Sequence, residues 1–173
     1  MAFGQPVLLT ADHRLDDFAC GEAELEHWLK RFALANQGAS TSRTFVVEAD
    51  GAVVGYYALA AGSVEFEDAP DRVKKGLGGY PIPVVLLARL AVHVDYQGQG
   101  LGRAFLKDAM VRTGSIGEHA GVRALLVHAM HQRAAAFYQV FGFEPSPTDP
   151  LHLLLLMKDL RGYLRTAGHL PPQ

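Results

Sequence analysis

The sequence predicts one mixed α/β domain. Apolar, β-branched runs alternate with segments of helical spacing, in the order strand, helix, hairpin, long strand, helix, strand, helix, strand. The 173 residues are the size of a single domain. Hydrophobic residues make up 49% of the chain and charged residues 20%, which is typical of a globular protein and argues against disorder. Because the single cysteine, Cys20, cannot form an internal disulfide, a reducing compartment is expected.

The first half of the chain carries a strand, a helix and a hairpin. Residues 6–10 form a short apolar run that predicts a strand, and residues 22–36 place apolar side chains at helical intervals. Two β-branched and aromatic runs, 44–48 and 52–60, flank Asp50-Gly51, a dipeptide typical of a tight hairpin turn.

The second half begins with a polar loop and a long buried strand. Residues 65–79 predict a loop with at most one helical turn, and residues 83–94 predict a central strand that is apolar on both faces apart from Arg89 and His93. A helix over about 100–118 follows, although Asp108 falls close to its buried side. The remaining expected elements are a strand over 122–129, a helix over 133–141 and a strand over 151–157, followed by a short helix or tail.

A glycine cluster joins the long strand to the helix after it. Gly98, Gly100 and Gly102 alternate with other residues, starting directly after Gln97. In such a turn, backbone N–H groups and the positive end of the helix dipole converge on one point, which suits a pyrophosphate. A plain glycine turn is the simpler alternative. The G-x-G-x-G spacing does not match the dinucleotide fingerprint, and no Gly-Lys-Ser/Thr follows as a Walker loop requires.

Two motifs resemble one enzyme family. Gln97-x-x-Gly100-x-Gly102, after the strand at 87–92, resembles the acetyl-CoA pyrophosphate loop (Q/R-x-x-G-x-G/A) of the GNAT acyltransferase superfamily, and AAAFYQVFGF at 134–143 resembles its A-x-x-x-Y-x-x-x-G-F segment. The resemblance implies a single GNAT acetyltransferase domain over residues 1–173, with a core at about 5–160 and a C-terminal tail at 161–173. It also implies a mixed, mostly antiparallel sheet with splayed central strands, flanked by helices.

The resemblance implies roles for individual residues. The pantetheine arm of acetyl-CoA would lie between the separating strands 83–94 and 122–129 and would bond to the backbone like an added strand. Tyr138 would protonate the leaving thiolate, with a core tyrosine as the alternative. A backbone N–H near Leu90 would meet the oxyanion. His131 departs from the Asn that many members carry at a cofactor contact. The residues expected to bind the cofactor are Leu90, Ala91, Val92, Gln97, Gly98, Gln99, Gly100, Leu101, Gly102 and Arg103.

The sequence does not single out a general base. His93, His128 and His131 are candidates by residue type, but histidines in or near strands are more often structural. His128-x-x-His131 has loose metal-ligand spacing, and because no third ligand is evident no metal site is predicted. A base is not required for an α-amine, because that group titrates at about 7.7–8.0 and a useful fraction is neutral at cytoplasmic pH.

A narrower resemblance concerns the acceptor. The segments at 18–30, 35–37, 42–46, 87–92, 97–102 and 137–145 look like those of GNAT-type toxins of toxin–antitoxin pairs. This implies an aminoacyl-tRNA acetylated on its α-amine, which blocks translation, a small ribbon-helix-helix antitoxin and a homodimer. Despite the net charge of −2, a basic face would then hold the RNA. Its candidates are Lys30, Arg31, Arg43 and Arg89, with Lys74 and Lys75 in the loop.

Two other functions stay open at this stage. The chain could acetylate a small-molecule or protein amine, or it could be a catalytically silent GNAT domain that binds acetyl-CoA or a partner protein. Tyr138 and the intact glycine loop argue against the silent domain. No apolar run approaches the ~18 residues of a membrane span, and no signal-peptide pattern is visible, so we expect a cytoplasmic protein with no membrane partner.

Overall fold

The computed structural model describes residues 3–168, which form a seven-stranded mixed sheet flanked by helices. Within this range, β4 and β5 run parallel, whereas the β1–β2, β2–β3, β5–β7 and β6–β7 pairs are antiparallel. The order across the sheet is β1-β2-β3-β4-β5-β7-β6. The predicted fold class is thereby confirmed. The strands are β1 (Val7–Leu8), β2 (Arg43–Ala49), β3 (Ala52–Val64), β4 (Ile82–Val92), β5 (Ala124–His128), β6 (Glu144–Pro145) and β7 (His152–Leu156).

Helices supply the remaining regular structure of the described chain. Two short 3-10 turns, Phe66–Asp68 and Val94–Tyr96, follow β3 and β4. No helix within residues 3–168 is both long enough and apolar enough to cross a lipid bilayer. The α-helices are α1 (Ala23–Arg31), α2 (Ala33–Gly38), α3 (Asp71–Lys74), α4 (Leu101–Ile116), α5 (Gln132–Val140) and α6 (Met157–Thr166).

The chain divides into two compact units, the first containing the residues up to Ala60 together with Ala88–Ala109. Its core includes Leu25, Trp28 and Leu29 of α1, which are at most 8% exposed and follow the predicted helical spacing. Burying each such side chain stabilises the fold by roughly 1.5–3 kcal/mol. The single helix expected over 22–36 is two helices, because the backbone leaves helical geometry at Phe32 (φ −122°, ψ −26°).

The hairpin of the first unit has the predicted turn. Asp50 and Gly51 both have positive φ, 51° and 78°, as a type I′ turn requires, and they join the pair Ala49–Ala52 that closes the β2–β3 ladder. The second strand is longer than predicted and continues to Val64.

The second unit contains Ala61–Leu87 and the residues from Met110 onward. Its β5 pairs with β7 from Ala124–Leu156 to His128–His152. The core here includes Val84, Leu126 and Leu154. The predicted tail at 161–173 begins inside α6, which continues to Thr166 and buries Leu164 to 1% exposure; residues 169–173 lie outside the described range.

Candidate functional site

The glycine loop in the first unit is an open turn that leads into α4. Gly98 and Gly100 have φ of 77° and 85°, in the left-handed region that favours glycine. A Cβ at either position would meet no atom within 4 Å, so the backbone conformation rather than packing requires glycine. Both residues are exposed, which leaves their backbone groups accessible to a ligand.

The N-terminus of α4 has the properties of an anion site. Leu101 and Phe105 anchor its first turns in the core at 2% and 0% exposure, while Arg103 is exposed. The first turn carries no acidic side chain. The first N–H groups of a helix have no partner within it and lie at the positive end of its dipole. The loop and this turn therefore fit a pyrophosphate.

Gln97 holds the loop in place through its side chain. Its Nε2 donates to the carbonyl of Val92 at 2.8 Å and to the carbonyl of Cys20 at 3.1 Å. Gln99 donates from Nε2 to the carbonyl of Asp95 at 3.4 Å. The amide donor of Gln97 thus ties the end of β4 to the segment before α1, and its contact with a pyrophosphate stays a prediction.

The predicted pantetheine contacts lie at the C-terminal end of β4. The parallel ladder with β5 joins Val84–Ala124 through Leu87–Val127, although β4 itself continues to Val92. None of the β4–β5 pairs of the described chain includes Leu90, Ala91 or Val92. Their backbone groups are therefore not part of that ladder.

Tyr138 lies on α5 in the second unit and is buried among aromatic rings. Its ring packs against Phe137 and Phe143, with centroids 5.1 and 5.5 Å away. Burial raises the pKa of Tyr138, so the phenol stays protonated at neutral pH. No hydrogen bond of its hydroxyl occurs within residues 3–168, whereas the hydroxyl of Tyr56, another buried tyrosine, donates to the carbonyl of Leu25 at 2.7 Å. Although the ring is buried, the hydroxyl oxygen itself is not fully buried, so it can donate to a ligand.

Two of the three candidate histidines have structural roles. The Nδ1 of His93 accepts from the backbone N–H of Asp95 at 3.1 Å, and its Nε2 lies 3.1 Å from the carbonyl of Asp17. The Nδ1 of His131 accepts from the N–H of Ala134 at 3.1 Å and caps α5. His131 therefore fixes the start of the helix that carries Tyr138.

His128 is the third candidate and ends β5. Its ring stacks on His152 with centroids 4.0 Å apart, and the Nε2 of His152 lies 3.4 Å from a carboxylate oxygen of Asp149. Burial, and then the neighbouring His152, lowers the pKa of His128 below its usual value. The imidazole of His128 is therefore neutral at neutral pH, as a general base must be.

Four of the six cations predicted to bind RNA lie in the first unit, whereas Lys74 and Lys75 lie in the second. Lys30 and Arg31 are exposed in the last turn of α1, where they also complement the helix dipole, and Arg43 is exposed at the start of β2. The guanidinium of Arg89 lies 4.4 Å from the ring centroid of Trp28, which is 8% exposed. This cation–π contact explains how a charge is accommodated on the central strand.

A second group of cations lines a pocket of about 670 Å³ in the second unit, and of these only Lys75 was among the candidates predicted from the sequence. Three of them, Lys158, Arg161 and Arg165, are spaced i, i+3 and i+7 on α6. That spacing places them on one helical face. It is the sequence feature from which this cluster could have been predicted.

Comparisons with known proteins identify the family of the chain. Residues 40–145 match the family described as Acetyltransferase (GNAT) domain. The tRNA-acetylating toxin of Mycobacterium tuberculosis is 52% identical over 147 residues, covering 85% of this chain and 88% of the relative. AtaT complexed with acetyl-methionyl-tRNAfMet superposes with a TM-score of 0.85 at 28% identity, covering 92% of this chain and 98% of AtaT.

A second AtaT structure concerns the co-substrate. A mutant AtaT bound to the C-terminus of the antitoxin AtaR and to acetyl-CoA superposes with a TM-score of 0.80 at 27% identity, covering 93% of this chain and 97% of AtaT. The family match spans more than half of the sequence, and the seven-stranded mixed sheet agrees with it. The chain therefore belongs to the GNAT acetyltransferases.

Proposed function

We propose that this acetyltransferase moves the acetyl group of acetyl-CoA to the α-amine of an aminoacyl-tRNA and thereby acts as a toxin that blocks translation. The observation that carries the proposal is the 52% identity to the M. tuberculosis tRNA-acetylating toxin over 85% of this chain. The superposition on AtaT complexed with acetyl-methionyl-tRNAfMet supports the same acceptor.

In the proposed reaction the acetyl-CoA binds at two parts of the first unit. N–H groups of Gly98–Arg103 hold the pyrophosphate, and backbone groups of Leu90 and Val92 hold the pantetheine arm. The thioester supplies an activated acetyl group. A backbone N–H near Leu90 binds the carbonyl oxygen as negative charge develops on it.

Tyr138 supplies the proton in this proposal. The amine nitrogen forms a bond to the acetyl carbon as the carbon–sulfur bond breaks, and the proton of the Tyr138 hydroxyl passes to the leaving sulfur. The proton that the amine loses is taken up by water or by a base, and the neutral imidazole of His128 has suitable protonation for that role. A proton from solvent then restores the Tyr138 phenol. Burial raises the pKa of Tyr138, so its phenol is protonated at neutral pH and has a proton to donate.

The proposal extends to the partners of the chain. A cognate antitoxin would neutralise the enzyme, and the AtaT mutant bound to the C-terminus of the antitoxin AtaR supports this. A ribbon-helix-helix antitoxin, a homodimer and a cytoplasmic location follow from the sequence resemblance and from the place where charged tRNA is used.

The test is transfer of labelled acetyl groups. Incubation with acetyl-labelled acetyl-CoA and a mixture of charged tRNAs should yield N-acetyl amino acids after mild alkaline release from the tRNA. Tyr138→Phe should slow this at least about 100-fold, the usual contribution of a general acid. Tyr80→Phe, the same change at a side chain that is 81% exposed, should have no effect.

Three outcomes would contradict the proposal. Label only on small amines or on protein would assign another acceptor. Binding of acetyl-CoA without release of free CoA to any acceptor would indicate a catalytically silent domain. In cells, equal growth on expression of the wild type and of Tyr138→Phe would argue against a toxin.

A further inference from the structure

A basic pocket in the second unit has no role in the acetyl-transfer chemistry described above. Six cationic side chains line this space of about 670 Å³, and no carboxylate lines it. It is formed by the segment around α3, the residues just before β5, and α6. The cations are Arg72, Lys75, Arg123, Lys158, Arg161 and Arg165.

Two of these cations hold the walls of the basic pocket together. The guanidinium of Arg72 donates two hydrogen bonds to the carboxylate of Asp159, at 2.7 and 3.0 Å, and lies 3.4 Å from Glu144. Arg123 donates to the carbonyls of Val73 at 2.8 Å and Lys75 at 3.2 Å. These contacts fix α3 and the residues after it against α6, so the walls of the pocket are held in place by hydrogen bonds.

The other four cations form no ion pair within residues 3–168, although the charge of Lys158 acts on the neighbouring carboxylate of Asp159. None of the ion pairs there involves Lys75, Lys158, Arg161 or Arg165, although Arg161 also donates to the carbonyl of Gly117 at 3.5 Å. Like charges at helical spacing repel one another and destabilise the helix unless an anion lies between them. Their concentration in one concave space therefore points to an anionic ligand.

The first turn of α6 also borders the basic pocket. Met157 and Lys158 of that turn line the pocket, and the N-cap residue Leu156 provides no side-chain cap. The same turn carries Asp159, which accepts hydrogen bonds from Arg72, and the N–H of Met157 donates to the carbonyl of Arg123. The attraction for an anion therefore comes from the cationic side chains of the pocket rather than from the helix dipole.

The chemistry of the lining favours phosphate over a peptide. Four of the six cations are arginines, whose planar guanidinium matches phosphate with paired hydrogen bonds. The apolar floor offers little to bury, because Leu156 and Met157 are only 8% and 5% exposed. An acidic peptide would need apolar anchors for affinity, whereas a polyphosphate strand binds mainly through charge.

The dimensions of the cationic row fit a nucleic-acid strand. Lys158 and Arg165 are seven residues apart on α6, which is about 10 Å at ~1.5 Å per residue. That distance corresponds to about three nucleotides of one strand at ~3.4 Å each. We propose that the basic pocket binds backbone phosphates of the RNA substrate, an inference that rests on the proposed function.

None of the residues that line the basic pocket belongs to α5, the helix that carries Tyr138. Arg123 directly precedes β5, whereas His128 and then α5 follow its other end, and the five residues of β5 span about 15 Å. RNA held in the pocket would therefore position the substrate without touching the reacting atoms. Loss of the pocket should raise the KM for charged tRNA and leave the kcat unchanged.

The test combines RNA binding with a readout of chemistry. Binding of labelled, uncharged tRNA is measured against salt concentration for the wild type and for Lys158→Gln/Arg161→Gln/Arg165→Gln. The triple variant should raise the Kd at least about tenfold and lower the salt slope by about 2–3. Arg14→Gln removes a charge that is paired with Asp17 on the first unit, and should change the Kd less than about twofold.

Further measurements distinguish an error in the proposed role of the pocket from an error in the proposed function of the protein. The triple variant should acetylate an amino acid ester that lacks RNA as fast as the wild type, and its melting temperature shows whether it folds. A wild type that acetylates charged tRNA, with a triple variant of unchanged Kd and salt slope, would overturn the pocket alone. A wild type that neither binds nor acetylates tRNA would overturn the function.

Two competitors identify the ligand. If inorganic tripolyphosphate binds the wild type and tRNA does not displace it, the pocket serves a free phosphate compound and the proposal is wrong. The same holds if the triple variant loses binding of an acidic antitoxin peptide while tRNA binding is unchanged. The proposal would be supported if tRNA displaces tripolyphosphate from the wild type and this displacement is not observed with the triple variant.

Discussion

At the scale of single residues, Arg89 and Trp28 form a pair of which the sequence predicted only one part, the need of Arg89 for a partner or a function. The position of Arg89 on an apolar strand indicated that its charge needed a partner or a function. The structure provides a partner, since the guanidinium lies over the Trp28 ring, which in turn stacks on Tyr56 with centroids 6.0 Å apart. A role for Arg89 in RNA binding stays a prediction, and the contact with Trp28 predicts an effect on stability.

Replacing Arg89 with methionine should lower the free energy of unfolding by about 1 kcal/mol, the usual contribution of a partly buried cation–π contact. Trp28 is the only tryptophan of the chain, so its fluorescence reports both the local change and urea unfolding. Arg43→Met, at an exposed position on β2, should change stability by less than about 0.5 kcal/mol. Equal stability of the two variants, with unshifted Trp28 emission, would contradict the assigned contact.

At the scale of elements, the loop before α4 and the β2–β3 turn have the same backbone conformation but different roles. The first is expected to bind acetyl-CoA, and the second reverses the chain. Gly100 (φ 85°) and Gly51 (φ 78°) are both left-handed, and a methyl group added at either Cα would meet no atom within 4 Å. Alanine at either position should therefore cost about 1–2 kcal/mol of backbone strain without any clash.

The two alanine variants should differ in ligand binding. Gly100→Ala should weaken acetyl-CoA binding about tenfold, because the strained loop no longer directs its N–H groups at the pyrophosphate. Gly51→Ala should lose similar stability and bind acetyl-CoA normally. Calorimetric titration with acetyl-CoA and urea unfolding measure both quantities. Equal affinities in the two variants would remove the loop from the acetyl-CoA site.

Element types were predictable where a buried face repeats regularly, and boundaries were not. Leu25, Trp28 and Leu29 revealed α1, but Phe32 continues the same spacing and is 47% exposed, so periodicity concealed the break between α1 and α2. The two-residue strand β6 carries too few residues for any pattern. Asp108, close to the buried side of α4, accepts a hydrogen bond from the Tyr57 hydroxyl, a pairing that only the folded chain brings about.

At the scale of the whole molecule, motifs that occupy one stretch of sequence were predictable. A surface formed by residues from distant parts of the chain was not. The glycine loop and the Tyr138 segment each occupy one short stretch of sequence, which is why the family and its co-substrate acetyl-CoA were predictable. The basic pocket joins Lys75, Arg123 and a face of α6, which are far apart in the sequence. The net charge of −2 gave no sign of it, because an average over 173 residues conceals a local cluster.

The net charge of the chain predicts how RNA binding depends on pH. The chain has 8 histidines and a pI near 6.4, so its net charge changes sign just below neutrality. Histidine is the side chain type whose charge changes between pH 5 and 8, so acidification from pH 7.5 to 6.0 makes the chain more positive. His128 lags behind because its pKa is lowered. The affinity for uncharged tRNA should therefore rise severalfold on acidification at constant ionic strength, as measured by fluorescence anisotropy.

Catalysis should respond to the same change of pH in the opposite direction. An α-amine with a pKa of about 7.7–8.0 becomes protonated between pH 7.5 and 6.0, so the acetylation rate at saturating tRNA should fall roughly tenfold or more while binding tightens. Lys158→Gln/Arg161→Gln/Arg165→Gln should show the same proportional gain in affinity, because its missing cations do not titrate in this range. An affinity that is constant or weaker at pH 6.0 would mean that the histidines lie too far from the bound RNA to act on it.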